Sequence, residues 1–149
     1  MENRVKQAIE LFRDGYNCAQ SIVGAFEDKL GKDTPTLMDM ASGFGGGMGR
    51  LQHTCGAVTG SFMVISTLSN KKLPGAKEKP DDDIQNFARR FTGEFGELNC
   101  RNLLGYDLNE PEELEEAHKA EAFDRYCERY IEFSVKTLEE ILTQNNGHQ

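Results

Sequence analysis

Apolar residues along this chain recur at spacings of three and four, and a spacing of two is nowhere sustained. That pattern predicts helices throughout. Residues 4–13 place Val5, Ala8, Ile9 and Phe12 on one face, and Asp14-Gly15 ends the first helix. A second begins at Asn17, with Gln20 in capping-box spacing. Its face is Cys18, Ile22, Val23, Phe26 and Leu30, and Gly31 is its expected stop. Thr34-Pro35 reads as an N-cap followed by a first-turn proline, opening a short helix with Leu37, Met38 and Ala41. The glycine cluster SGFGGGMGR (42–50) follows.

From about 55 to 69, Ala57, Val58, Phe62, Met63, Val64, Ile65 and Leu68 leave no charged face. A helix without a charged side is a central one, surrounded by others. Val64 and Ile65 suit a strand, but fifteen residues without a turn signal favour a helix. Gly56 and Gly60 form a small-xxx-small pair that lets another backbone approach. Residues 70–83 read as an exposed loop rich in Lys, Pro, Gly and Asp. Helix resumes after Pro80, with Ile84, Phe87, Ala88, Phe91, Phe95 and Leu98 at helical spacing. A turn is expected near Asn99, then a proline-led acidic helical turn at 109–117. A last helix, about 120–142, carries Phe123, Cys127, Tyr130, Ile131, Val135, Leu138 and Leu142. The expected fold is all-α: one compact domain over 1–149, with about five to seven helices around the central helix. At 149 residues the chain is long enough to bury such a core without staples.

Charge narrows the partners. Against 25 acidic residues stand only 17 Lys and Arg, a formal net charge of −8. That balance disfavours nucleic acid, whose phosphates need a basic face. No apolar run approaches the ~20 residues of a membrane span. The opening MENRVKQAIELF carries charges where a signal peptide would be apolar. The expectation is a soluble, cytoplasmic chain.

Four cysteines stand at 18, 55, 100 and 127. None forms a CxxC or CxxCH, which argues against a zinc ribbon, a thioredoxin motif and covalent haem. Structural disulfides are not expected in a reducing cytoplasm, and a scattered cysteine is ordinarily a small inert hydrophobe. Position argues otherwise. Cys18 follows Asn17, Cys55 follows Thr54 and Cys100 follows Asn99, all N-cap types. A thiol at the first position of a helix meets unpaired N–H groups, and its pKa can fall from ~8.5 towards ~3.5–7.5. Cys127 lies inside the last helix between Arg125 and Arg129, which suits a resolving thiol.

Other readings stand beside this one. Four thiolates from separate helices suit zinc or an iron–sulfur cluster, although local ligand pairs are missing. His53 and His118 are possible nitrogen donors, against an ordinary surface or capping role. Gly45, Gly46 and Gly47 with Arg50 could cradle an anion or cofactor. Yet no strand precedes them, GxxxxGK[ST] is absent, and glycines also serve tight turns. The acidic stretches lack EF-hand spacing, Phe87, Phe91 and Phe95 read as core, and Tyr16, Tyr126 and Tyr130 offer hydroxyls without a distinctive spacing. The remaining alternative is a non-enzymatic binding module, possible also as a homodimer through Gly56 and Gly60.

The segments NCAQSIVGAF, GFGGGMGRLQHTCGAVTGSFMVI, GELNCRNLLGYDL and YCERYIEFSVKTLEEIL resemble a bacterial and archaeal family whose redox role is inferred from four cysteines. The second cysteine of that family lies in a CGAxxG motif, matched here by Cys55-Gly56-Ala57-Val58-Thr59-Gly60. Cys18, Cys100 and Cys127 fill the other places in order. The resemblance implies thiol–disulfide chemistry with an unidentified redox partner and no required cofactor. Within that reading Cys55 is the expected attacking thiol and Cys18 its partner, since both open strongly apolar helices, and Cys100 and Cys127 form the other pair.

Overall fold

A computed structural model of the chain describes residues 2–71 and 80–146. Most of the loop expected at 70–83 therefore lies outside the described residues. The α-helices are α1 (Glu2–Arg13), α2 (Cys18–Ala25), α3 (Glu27–Leu30), α4 (Thr34–Ala41), α5 (Gly56–Lys71), α6 (Asp81–Phe95), α7 (Cys100–Leu104), α8 (Pro111–Lys119) and α9 (Glu128–Asn146). A 3₁₀ turn, Gly31–Asp33, precedes α4, and a π turn, Phe123–Cys127, leads into α9. Among the described residues no strand forms, and the fold is all-α. Seven helices have eight residues or more; α3 and α7 are single turns.

Local chemistry explains most boundaries. At the start of α2, Asn17 Oδ1 accepts from Gln20 N–H at 2.8 Å and Gln20 Oε1 accepts from Asn17 N–H at 3.1 Å. This is the reciprocal box expected from the spacing. The expected face from Cys18 to Leu30 is present, but Phe26 breaks the helix at φ −106° while its ring stays buried. Thr34 does not cap α4. The 3₁₀ turn before it is already wound, so Thr34 is the first helical residue and its hydroxyl donates back to Gly31 O at 2.7 Å. The last helix starts later than expected: Glu121, at φ +53°, separates α8 from the π turn. Leu98, expected on the face of α6, lies beyond Gly96, whose left-handed conformation ends that helix.

Packing follows from the apolar faces. Arg4 bonds Glu139 and Arg13 bonds Glu128, so α1 and α9 run antiparallel. Phe91 and Phe95 of α6 stack among Tyr130 and Phe133 of α9, with Phe87 behind them against Phe62 of α5. Helix α5 packs on α2, α6 and α9. Its glycine pair is spent within the chain. A Cβ at Gly60 would lie 2.8 Å from Ala19 O, and one at Gly56 would lie 3.0 Å from Cys18 Cβ. The close approach that the glycine pair permits is thus made by α2.

Two apolar cores result. The larger joins α1, α2, α4, α5, α6 and α9; the smaller gathers Leu104, Leu108, Ala117 and Ala122 with Leu114 and Phe123. Tyr126 touches both.

Candidate functional site

One long-range pairing brings distant cysteines together. Thr54 and Asn99 form an isolated antiparallel bridge. Around it, Cys55 N–H donates to Leu98 O at 2.8 Å and Cys100 N–H donates to His53 O at 2.6 Å. Helices α5 and α7 therefore start from the same bridge, and their cysteines meet there. Cys18 arrives on the first residue of α2, held by the capping box, and Cys127 arrives at the end of the π turn. All four thiols are free and all four line one cavity of about 670 Å³.

The cavity lies between the two cores. Phe12, Leu103, Leu104, Leu108, Leu114 and Phe123 form its apolar wall. Backbone from the glycine cluster, including Gly45, Gly46 and Gly47, also lines it. Here the chain is unusual: residues 46 to 50 all have φ between +60° and +71°, Met48 and Arg50 among them, and Gln52 is at +58°. A non-glycine residue in that region costs about 1–3 kcal/mol and persists only where the surroundings hold it. They do. Gly49 N–H donates to Gly43 O at 2.7 Å, Gln52 N–H to Gly46 O at 3.0 Å and His53 N–H to Gly47 O at 3.0 Å. Asn17 Nδ2 donates to Ala41 O and Ser42 O on the approach. Arg50 Nη2 donates to Leu108 O at 3.0 Å, and Asn109 Nδ2 donates to Arg50 O at 2.8 Å. The arginine expected to meet an anion thus braces the loop against the second core.

Gln52 was not visible as a site residue in the sequence. It is buried, accepts from Leu108 N–H at 2.8 Å and donates to Tyr106 O at 2.7 Å. No local pattern announces it, because its partners lie more than fifty residues away.

The electrostatics correct one expectation. Thr54 makes no cap, Asn99 caps without a side-chain bond, and Cys55 itself is the residue before α5, where Ala57 and Val58 N–H groups face its sulfur. Those amides and the helix start do not yield a lowered pKa. Burial first, then the charge of Cys18, pushes the Cys55 thiol far above its usual range. Cys18 is raised by its hydrogen bond with Cys127 and then by burial. Cys100 is pushed up to about 11 by burial and by Cys18, with Gln52 opposing. A helix dipole contributes about 0.3–1 kcal/mol, less than one pKa unit. Burial shifts groups by up to about 3–5 units, and burial wins.

The remaining candidates separate cleanly. His118 lines the cavity and packs against Phe123 with ring centroids 5.1 Å apart, whereas His53 is exposed and enters these contacts through its backbone N–H and carbonyl. Tyr130 lines the cavity, but its hydroxyl donates to Leu103 O at 2.8 Å and burial lifts its pKa to about 12. Tyr16 is exposed. Among the described residues no three His, Cys, Asp or Glu side chains converge closely enough to hold a metal ion. No helix among them is long and apolar enough to cross a membrane.

An all-α chain whose four cysteines, far apart in sequence, wall a single cavity defines a cysteine-centred domain. The family described as "Putative redox-active protein (C_GCAxxG_C_C)" matches residues 16–141, and the chain belongs to it. Against the letters GCAxxG of that description the chain reads Cys55-Gly56-Ala57-Val58-Thr59-Gly60, with cysteine ahead of glycine. A relative from Archaeoglobus fulgidus, named "Uncharacterized protein", is 27% identical over 149 residues, covering 95% of this chain and 97% of the relative. No solved structure matches the chain.

Proposed function

We propose that the four-thiol cavity performs thiol–disulfide exchange, with Cys127 as the attacking sulfur and Cys18 as the resolving one. The observation that carries this is that four thiols from distant parts of the chain line one cavity, with Cys127 beside Cys18. The neighbouring Cys127 thiol and burial raise Cys18, so the later, resolving step is assigned to it. The sequence points instead to Cys55 attacking with Cys18 as its partner; Cys55 is the most buried of the four and is therefore set behind Cys127. Cys55 and Cys100, neighbours through the Thr54–Asn99 bridge, make the second pair.

The step balances. Cys127 gives up its proton as its sulfur attacks a disulfide RSSR; the S–S bond breaks, a Cys127 mixed disulfide forms, and the released RS⁻ takes up that proton. Cys18 then attacks the Cys127 sulfur, the second RS⁻ leaves with the Cys18 proton, and the chain holds one new disulfide for two RSH released. Reset by a reductant fits a reducing compartment such as the cytoplasm.

The test is thiol labelling and mass mapping across a redox titration, with single Cys→Ser variants. Oxidation should yield a Cys18–Cys127 bridge first, and Cys127→Ser should abolish the mixed disulfide. Four cysteines that stay free at every potential would end this reading.

A further inference from the structure

We infer that the oxidised partner is a low-molecular-weight organic disulfide with an apolar body, taken into the cavity, and not a protein disulfide. The inference rests on the thiol-exchange reading above and adds its substrate class.

Access is the first ground. Cys55 is buried and the other three thiols are only half-exposed, all on the wall of a recess between two cores. Exchange requires the attacking sulfur to approach along the S–S axis, so the disulfide must come inside. A recess of about 670 Å³ lies in the range of about 300–1,000 Å³ that encloses small organic molecules. A disulfide held on a folded protein surface carries two flanking chains that this recess excludes.

The lining is the second ground. Phe12, Leu103, Leu104, Leu108, Leu114 and Phe123 offer apolar surface beside the sulfurs. On the same lining stand Gly45, Gly46 and Gly47, and among the described residues no carbonyl accepts from their N–H groups. Backbone donors fixed at a reacting centre stabilise charge that develops there. Here the developing charge is the departing thiolate, so the apolar side chains bind the body of the molecule and the glycine backbone serves its leaving group.

The experiment compares full-length reduced protein with two matched oxidants. One is 2,2′-dithiodipyridine; the other is the same pyridyl disulfide formed on a surface cysteine of a carrier protein. Each rate is normalised to that of free N-acetylcysteine with the same oxidant, which removes the intrinsic reactivity of the disulfide. The small oxidant should then react at least about tenfold faster, releasing two pyridinethiones per Cys18–Cys127 bridge. Leu114→Trp, which fills the cavity, should slow that reaction by a similar factor. Equal normalised rates for the two oxidants in the wild-type protein would overturn the inference yet leave thiol exchange standing, whether or not the variant folds. Failure to form the bridge with either oxidant would instead remove the exchange reading itself.

Discussion

Cys100 shows how a residue's environment outweighs its position. Its place at a helix start argues for a stabilised thiolate, yet burial and the neighbouring Cys18 push it up to about 11. The consequence for stability has a definite sign. In the unfolded chain the thiol ionises near ~8.5, so below that pH both states hold the proton and the contribution is fully present. Between about 8.5 and 11 the unfolded chain loses the proton while the folded one keeps it. Stability should therefore fall as pH rises through that window. Urea midpoints at neutral and alkaline pH would measure it, and the fall should shrink in Cys100→Ala. Nothing in the sequence could reveal this shift, because the residues that bury Cys100 and charge its surroundings come from other parts of the chain. Gln52 was hidden for the same reason.

Helices were the most legible part. The box at Asn17 and the aromatic stripe of α6 are local patterns, and both recur in the structure. The elements read less well where tertiary contacts overrule the pattern: Phe26 interrupts a continuous apolar face, and Glu121, in a left-handed conformation, delays the start of the final helix. The glycine pair of α5 was legible as a close approach, though not what approaches. That contact gives a prediction at its own scale. Gly60→Ala drives a Cβ to within 2.8 Å of Ala19 backbone and should cost about 1–3 kcal/mol as overpacking. Gly93→Ala, exposed on α6 with nothing within 4 Å, should gain about 0.5–1 kcal/mol from helix propensity. Chemical unfolding of the two variants beside wild type separates packing from propensity.

At the scale of the whole molecule, the site is a seam. Its thiols come from α2, the Thr54–Asn99 bridge and the π turn, and its walls belong to two cores. The four cysteines stood out in the sequence through position and resemblance; their meeting in one cavity did not, because it depends on a bridge between residues 54 and 99. What joins the cores is the run from 46 to 50, braced by Arg50 on Leu108 and Asn109 on Arg50. That joint turns with the opposite screw sense to every α-helix around it, so the rule for which residues it tolerates is chirality rather than size or polarity. Gly49 isolates the effect, since its φ is +60° and an added Cβ would meet nothing within 4 Å. L-alanine there should cost about 1–2 kcal/mol despite the open space. D-alanine, introduced by chemical ligation, should instead stabilise the fold by about 0.4–1 kcal/mol through a stiffer unfolded chain. Thermal melts of the two mirror-related proteins should diverge on either side of wild type, making this short joint a place where the fold prefers the enantiomer that ribosomes do not supply.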